Sequence, residues 1–230
     1  MNGDWYWQDS SLKCHLLDRW QHSFLSKAQS PPPEGISAKQ VHGNNCIYAP
    51  QCQTKVVEAD SLWLDQNYQG SIWVCSADCV PILIGEPDRG LIAAVHSGWR
   101  GTAQEVLKNT VETLLAQGAD PERLLFALGP AISGAMYQVE KEVADRVVAN
   151  LKTPAGILED DLPGHCRLDL RLVQRQQLIE LGIPSANIRI APYCTYSRPD
   201  LFHSYRRSRQ QNDRDLGKMQ WSGIYSQKIM

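Results

Sequence analysis

The chain has 230 residues, of which 43% are hydrophobic and 21% charged, a balance that excludes a disordered, collagenous or coiled-coil protein and suits one domain with a proper core. Its 23 Lys and Arg against 25 Asp and Glu leave a formal net charge of -2, so no global basic field draws nucleic acid or an anionic membrane, and any anion site must be local. No apolar run approaches the roughly 18 residues of a membrane span. The N-terminus lacks a basic stretch leading into an apolar one, which makes the cytoplasm the expected location. Seven cysteines without a CxxC pair fit neither a disulfide framework nor a zinc ribbon.

Residues 1–38 read as an N-terminal extension, rich in Trp, Ser and Gln, with a stiff PPPEG at 31–35 leading into a domain spanning 39–230. From residue 56 onward, short β-branched runs bounded by turn residues predict strands at SIWVC (71–75), CVPILIG (79–85) and LIAAVH (91–96), the last two as a hairpin across EPDRG. TAQEVLKNTVETLLAQG then predicts one helix with Thr102 near its N-cap. Ala103, Val106, Leu107, Val111, Leu114 and Leu115 lie near one face, and Gly118 closes it. LLFALG (124–129) reads as a strand and EKEVADRVVANL (140–151) as a helix. LDLRLVQRQQLIELG (168–182) reads as a further helix, with Asp169 as N-cap and Gly182 as its stop. IRIA (188–191) ends the expected regular structure; the segment 193–214, with Arg198, Arg206, Arg207, Arg209 and Arg214, reads as a basic loop. Mixed strands and helices without a repeat predict a single mixed α/β domain.

Three clusters carry chemistry. Cys79 opens one strand of the hairpin and His96 closes the other, so pairing brings thiol and imidazole to one end of the sheet. Such a pair serves either nucleophilic catalysis, with His96 as base, or metal binding. His42, in KQVHGNN, adds a second imidazole and completes the three-ligand set of a catalytic zinc whose fourth position stays open. Asp78 is placed either to orient a ligand imidazole or to cap the strand. Third, SGWRGT sets Gly98 and Gly101 around Trp99 and Arg100 at the start of a helix. There backbone N–H groups and a guanidinium can face one phosphate. Arg206 and Arg207 offer a second cationic source.

KQVHG, EADSLW, SADCVPILI, LIAAVHSGWRGT, ALGPAIS with MYQVEKEV, and CTY…LFHSYRR together resemble the ordered motif series of the YfiH-type laccase-domain family, over about residues 39–209. The resemblance implies a mixed α+β fold, a layered α-β-β-α sandwich. It also implies phosphorolysis of adenosine, inosine and S-methyl-5'-thioadenosine to free base and sugar 1-phosphate, with adenosine deamination as a side activity. Its partners are a purine nucleoside and phosphate. Its cofactor is Zn2+, held by His42, Cys79 and His96, with Cu less suited because a multicopper oxidase needs more than the six histidines present. Gln40, Gly98, Arg100, Gly101, Arg206 and Arg207 form the expected substrate- and phosphate-binding set. Asp78 is the expected proton carrier and Glu58 a weaker one. The alternatives are a Cys79–His96 hydrolase or deamidase acting on a small amide, and a copper-dependent polyphenol oxidase. The chain departs from the family pattern in its N-terminal extension, which lacks the usual Gly-Gly-Val-Ser, Ser-Leu-Asn and Asn-Arg segments, in Met136 and Gln138, which stand where Cys and Glu are usual, and in Lys218, which stands where Arg is usual and replaces a bidentate fork by a point charge.

Overall fold

In the computed structural model, which describes residues 3–212 and 215–226, two sheets lie face to face and helices cover the outer side of the larger one. The strands are β1 (Trp5–Gln8), β2 (Ser11–Cys14), β3 (His22–Leu25), β4 (Cys46–Tyr48), β5 (Ser61–Leu64), β6 (Ser71–Ser76), β7 (Val80–Glu86), β8 (Leu91–Ser97), β9 (Leu125–Leu128), β10 (Gln138–Glu140), β11 (Ile157–Leu158), β12 (His165–Leu168), β13 (Ile188–Ile190) and β14 (Gln220–Tyr225). The α-helices are α1 (Trp99–Ala103), α2 (Val106–Ala116), α3 (Lys141–Val148), α4 (Leu170–Glu180) and α5 (Tyr205–Gln211). One sheet runs β13-β9-β7-β8-β5-β4, the second β1-β2-β3-β14-β6, and a small third sheet β10-β12-β11.

Strand alternation divides the core in two. Ile82, Ile84, Ala93, Val95, Phe126 and Leu128 meet Val106, Leu107, Val111 and Leu114 of α2 and Val173 and Leu178 of α4. The opposite face, with Leu62, Leu64, Leu83, Ile92 and Ala94, meets Leu12, Phe24, Ile72, Val74 and Ile224 of the second sheet. Strands buried on both faces read as unbroken apolar runs, which is why CVPILI and LIAAV stand out in the sequence. Each such side chain contributes about 1.5–3 kcal/mol relative to exposure. The predicted hairpin forms, in register from Val80↔Ser97 to Glu86↔Leu91. Asp169 caps α4 by accepting the Arg171 N–H.

The long helix predicted after SGWRG is two helices. It starts earlier, with Gly98 at the N-cap, and breaks where Glu105 takes a left-handed backbone, φ 61. Thr102 is fully buried in the first turn, bonded to Gly98 O and Ser97 Oγ and met by Gln174 of α4. The bend lets α1 pack on α3 while α2 lies along β8. Regular structure also continues past residue 191. The expected basic loop holds α5, capped by the Ser204 hydroxyl, and β14 then runs inside the second sheet between β3 and the edge strand β6. Arg214 lies outside the described residues. The segment 1–38 supplies β1, β2 and β3 to that sheet, and Ile36 bridges Ile72 beside it. The seven cysteines are unpaired. Among the described residues no helix is long and apolar enough to cross a membrane.

Candidate active site

The site grows from the open end of the space between the sheets. β5 and β8 pair Leu62 with Ala94 and Ser61 with Val95, so continuing the alternation sets Asp60 opposite His96 on the inner face. His96 donates Nδ1–H to Asp60 Oδ1 at 2.8 Å, and its backbone N–H reaches Asp60 O at 2.7 Å. Both residues are buried. On β7, Pro81 is the register partner of His96, and Cys79, two residues earlier, enters the same corner. The third group comes from the loop before β4, where His42 takes a left-handed backbone, φ 57. The N–H groups of Val41, His42 and Gly43 all point at the Asp60 carboxylate.

The ligand atoms of His42, Cys79 and His96 then lie within 4.8 Å of one another, with the two imidazole centroids 4.9 Å apart. Gly98 leaves room for them: a Cβ there would stand 2.7 Å from Cys79 Sγ and 3.2 Å from His42 Nδ1. Burial opposes ionisation of Cys79, but hydrogen bonds and charge from His42 and His96 outweigh it and bring the thiol down to about 7. Burial likewise opposes protonation of His96, yet Asp60 and Cys79 lift it to about 9. The corner therefore favours a thiolate beside a cationic imidazole. Two imidazoles and a thiolate, one imidazole fixed through its far nitrogen by a buried carboxylate, form the donor set and outer support of a three-ligand zinc or copper site. The residues present fit such an ion.

Above the corner opens a cavity of about 660 Å³. Arg100, Arg206 and Lys218 line it together with Trp99, Tyr137 and Tyr205. Arg100 is exposed and lies over the Trp99 ring, 4.4 Å from its centroid. Arg206 lies over Tyr137 at 5.0 Å and donates to Gln138 O at 2.8 Å. Burial foremost, and then the nearby Cys79 charge, push the Tyr137 hydroxyl up to about 12, so it stays protonated.

Other residues singled out in the sequence, of which Asp78, Gln40 and Lys218 also line the cavity, are engaged in hydrogen bonds, ion pairs or packing. Asp78, buried at φ 89, accepts the Thr195 hydroxyl at 2.5 Å on Oδ1, and on Oδ2 the Ser204 hydroxyl at 3.0 Å and the Arg206 N–H at 2.7 Å. It anchors the start of α5, and the carboxylate that orients an imidazole is Asp60. Gln40 lines the cavity, but its side-chain amide is engaged with both backbone groups of Cys75 at 2.7 and 2.8 Å. A Cβ at Gly101 would stand 3.2 Å from Gly43 O, so that glycine lets the His42 loop pack on α1. Arg207 is buried away from the cavity wall, donating to the carbonyls of Thr195, Tyr196 and Phe202. Glu58 is exposed and paired with Lys39 at 2.7 Å. Gln138 donates to Asp160 Oδ1 at 2.8 Å, and Lys218 pairs with Asp215 at 2.7 Å on the rim. Asp60 was not singled out by residue type; its signal is its place in EADSLW, one residue before a strand whose inner face it shares.

The family described as multi-copper polyphenol oxidoreductase laccase matches residues 18–223. This chain belongs to that family. Among its laccase-family relatives, a Synechocystis sp. protein named purine nucleoside phosphorylase slr1573 is 36% identical over 263 aligned residues, covering 96% of this chain and 97% of that protein. A protein from an unknown prokaryotic organism named adenosine deaminase RL5 is 34% identical over 137 residues, covering 59% of this chain and 52% of its own length. In structure, YlmD from Geobacillus stearothermophilus superposes with a TM-score of 0.86 at 23% identity, covering 97% of this chain and 99% of that one. That likeness is one of fold, and it agrees with the mixed α+β class read from the sequence.

Proposed function

We propose that this laccase-family chain is a zinc-dependent purine nucleoside phosphorylase. It cleaves adenosine, inosine and S-methyl-5'-thioadenosine with phosphate to free base and sugar 1-phosphate, and deaminates adenosine as a side activity. The observation that carries the reading is the His42, Cys79 and His96 cluster at the base of a cavity walled by cations and aromatic rings. A 36% identity that runs nearly the full length of a protein named for that activity supports it.

His42, Cys79 and His96 are the residues that would hold the ion, which when bound supplies a Lewis acid to polarise a substrate group. Arg100 and Lys218 meet phosphate at the cavity wall, and their charge orients it toward the anomeric carbon. A phosphate oxygen forms the new bond to that carbon while the carbon–nitrogen bond to the purine breaks, its electron pair leaving with the base, which takes up the proton that the hydrogen phosphate gives up. Trp99, Tyr137 and Tyr205 give the base flat apolar surfaces and exclude water from the reacting centre. Arg206, fixed on Tyr137 and Gln138 O, adds positive potential without having to reorganise.

One observation favours a second reading. A lowered Cys79 thiol, the His96 imidazole and the Asp60 carboxylate make a thiol–imidazole–carboxylate series of the kind that serves nucleophilic hydrolysis of amides. Purified protein incubated with adenosine or inosine, with and without phosphate, separates the two when products are resolved by chromatography. Phosphate-dependent release of adenine or hypoxanthine, lost in Cys79→Ala, is the expected result. No turnover of either nucleoside overturns it. Sensitivity to a thiol alkylator together with indifference to chelators transfers the assignment to the hydrolase, and dioxygen uptake with phenols by a copper-loaded protein transfers it to an oxidase.

A further inference from the structure

The Asp60 carboxylate accepts four hydrogen bonds, two on each oxygen. Oδ1 takes the His42 backbone N–H at 3.0 Å and the His96 Nδ1–H at 2.8 Å; Oδ2 takes the N–H groups of Val41 at 3.1 Å and Gly43 at 2.7 Å. The side chain is buried, 0% exposed. All four partners are donors, and only an ionised carboxylate accepts at both ends. An asparagine there would turn its NH2 group against two N–H groups whichever way it is flipped.

The donors come from two segments that supply different members of the cluster. The first is the 41–43 loop, whose left-handed His42 is a conformation that most residues avoid by about 1–2 kcal/mol. The second is the end of β8. We infer that Asp60 is the positioning residue of the metal corner, setting both histidine ligands before any ion arrives. It fixes the His96 tautomer with the proton on Nδ1, which leaves Nε2 as the ring's ligand atom. It also holds the His42 backbone so that the imidazole stands over Cys79 and Gly98. Because the loop is already ordered on the carboxylate, an ion meets a formed site and does not have to fold one. The inference rests on the metal reading above and assigns a duty to a residue outside the ligand set.

The test is zinc affinity of the full-length protein, measured by competition with a chromophoric chelator, for wild type, Asp60→Asn and Leu64→Ala. Leu64 shares the inner face of β5 and is fully buried, so its truncation weakens the core without touching a ligand. Asp60→Asn is expected to bind zinc about 10–100-fold more weakly, and Leu64→Ala to stay within about threefold of wild type. Histidine 15N shifts of the zinc-loaded wild type are expected to show His96 protonated at Nδ1 and bound to metal through Nε2. This measurement decides the matter even if the Asn variant does not fold. Metal on His96 Nδ1, wild-type affinity in Asp60→Asn, or an equal loss in both variants overturns the inference alone. A wild type that binds no zinc overturns the metal reading and this inference together.

Discussion

Gly98 is the position where the smallest chemical change meets the most crowded atoms. Its φ of -82 is open to any residue, so a substitution there acts through space alone. Gly98→Ala puts a methyl group inside the radius of the Cys79 sulfur, and we expect loss of bound zinc, read by metal analysis, with at least about a tenfold loss of nucleoside turnover. Two arginines that look alike in the sequence should part company. Arg100→Ala removes a charged donor from the cavity wall and is expected to raise the KM for phosphate by about 10–100-fold with native stability. Arg207→Ala strands three carbonyl oxygens and is expected to cost about 3 kcal/mol in denaturant unfolding while leaving the phosphate KM of the folded fraction unchanged. The clustering of His42, Cys79 and His96 was legible because a thiol and two imidazoles are rare residue types and the hairpin announces itself. Asp60 was not, because an acidic residue before a strand is ordinary until the 41–43 loop folds across it.

Among the elements, β3 carries a built-in acid sensitivity. His22 Nδ1–H donates to Trp20 O at 2.9 Å and Nε2 accepts the Cys14 N–H at 2.9 Å, so the neutral ring is fully used and an added proton has no acceptor. Burial above all, reinforced by Lys13, outweighs the opposing pulls of the Trp20 carbonyl and Asp18 and holds its pKa below the ordinary 6.5. The folded state thus binds fewer protons than the unfolded state below pH 6.5. The stability this group provides is intact above that value and falls as pH drops from it toward the lowered folded value. Denaturant midpoints across pH 5 to 8 should show this fall, and His22→Gln should flatten its slope while lowering stability throughout. Elements with strong apolar patterns, such as β7, β8 and α4, were legible in the sequence. Those with other duties were not: α5 is YRRSRQQ, specified by the Ser204 and Asp78 caps, and the break at Glu105 follows from packing against α3 and β8. In β14, Gly223 sits where Trp73 leaves no room for a side chain, a Cβ falling 2.2 Å from its ring. That need is invisible before the sheet exists.

For the molecule as a whole, the decisive arrangement is that β14 lies between β3 and β6, joining the two ends of the chain in one sheet. Which strands would be neighbours was not readable, because these partners are far apart in sequence and no local pattern names them. Ending the chain after Lys218 removes β14, opens two strand edges and uncovers the inner faces of both sheets. We expect such a chain to lack a cooperative unfolding transition and native near-UV circular dichroism; a sharp transition with a native spectrum would contradict this. Refolding of the intact chain should fall in the millisecond-to-second range of topologies dominated by distant pairings.

The same arrangement governs how the protein is born. On the ribosome the residues of the candidate metal corner, from His42 to His96, emerge well before the last strand, which follows on the order of ten seconds later. Throughout that interval the nascent chain holds an uncovered apolar sheet, with β3 and β6 waiting for the partner between them, which is not yet synthesised. Premature termination between Ser97 and Gln220 would release chains in that state, prone to aggregate. Such chains, with apolar strands and open sheet edges exposed, are what chaperones bind and proteases remove.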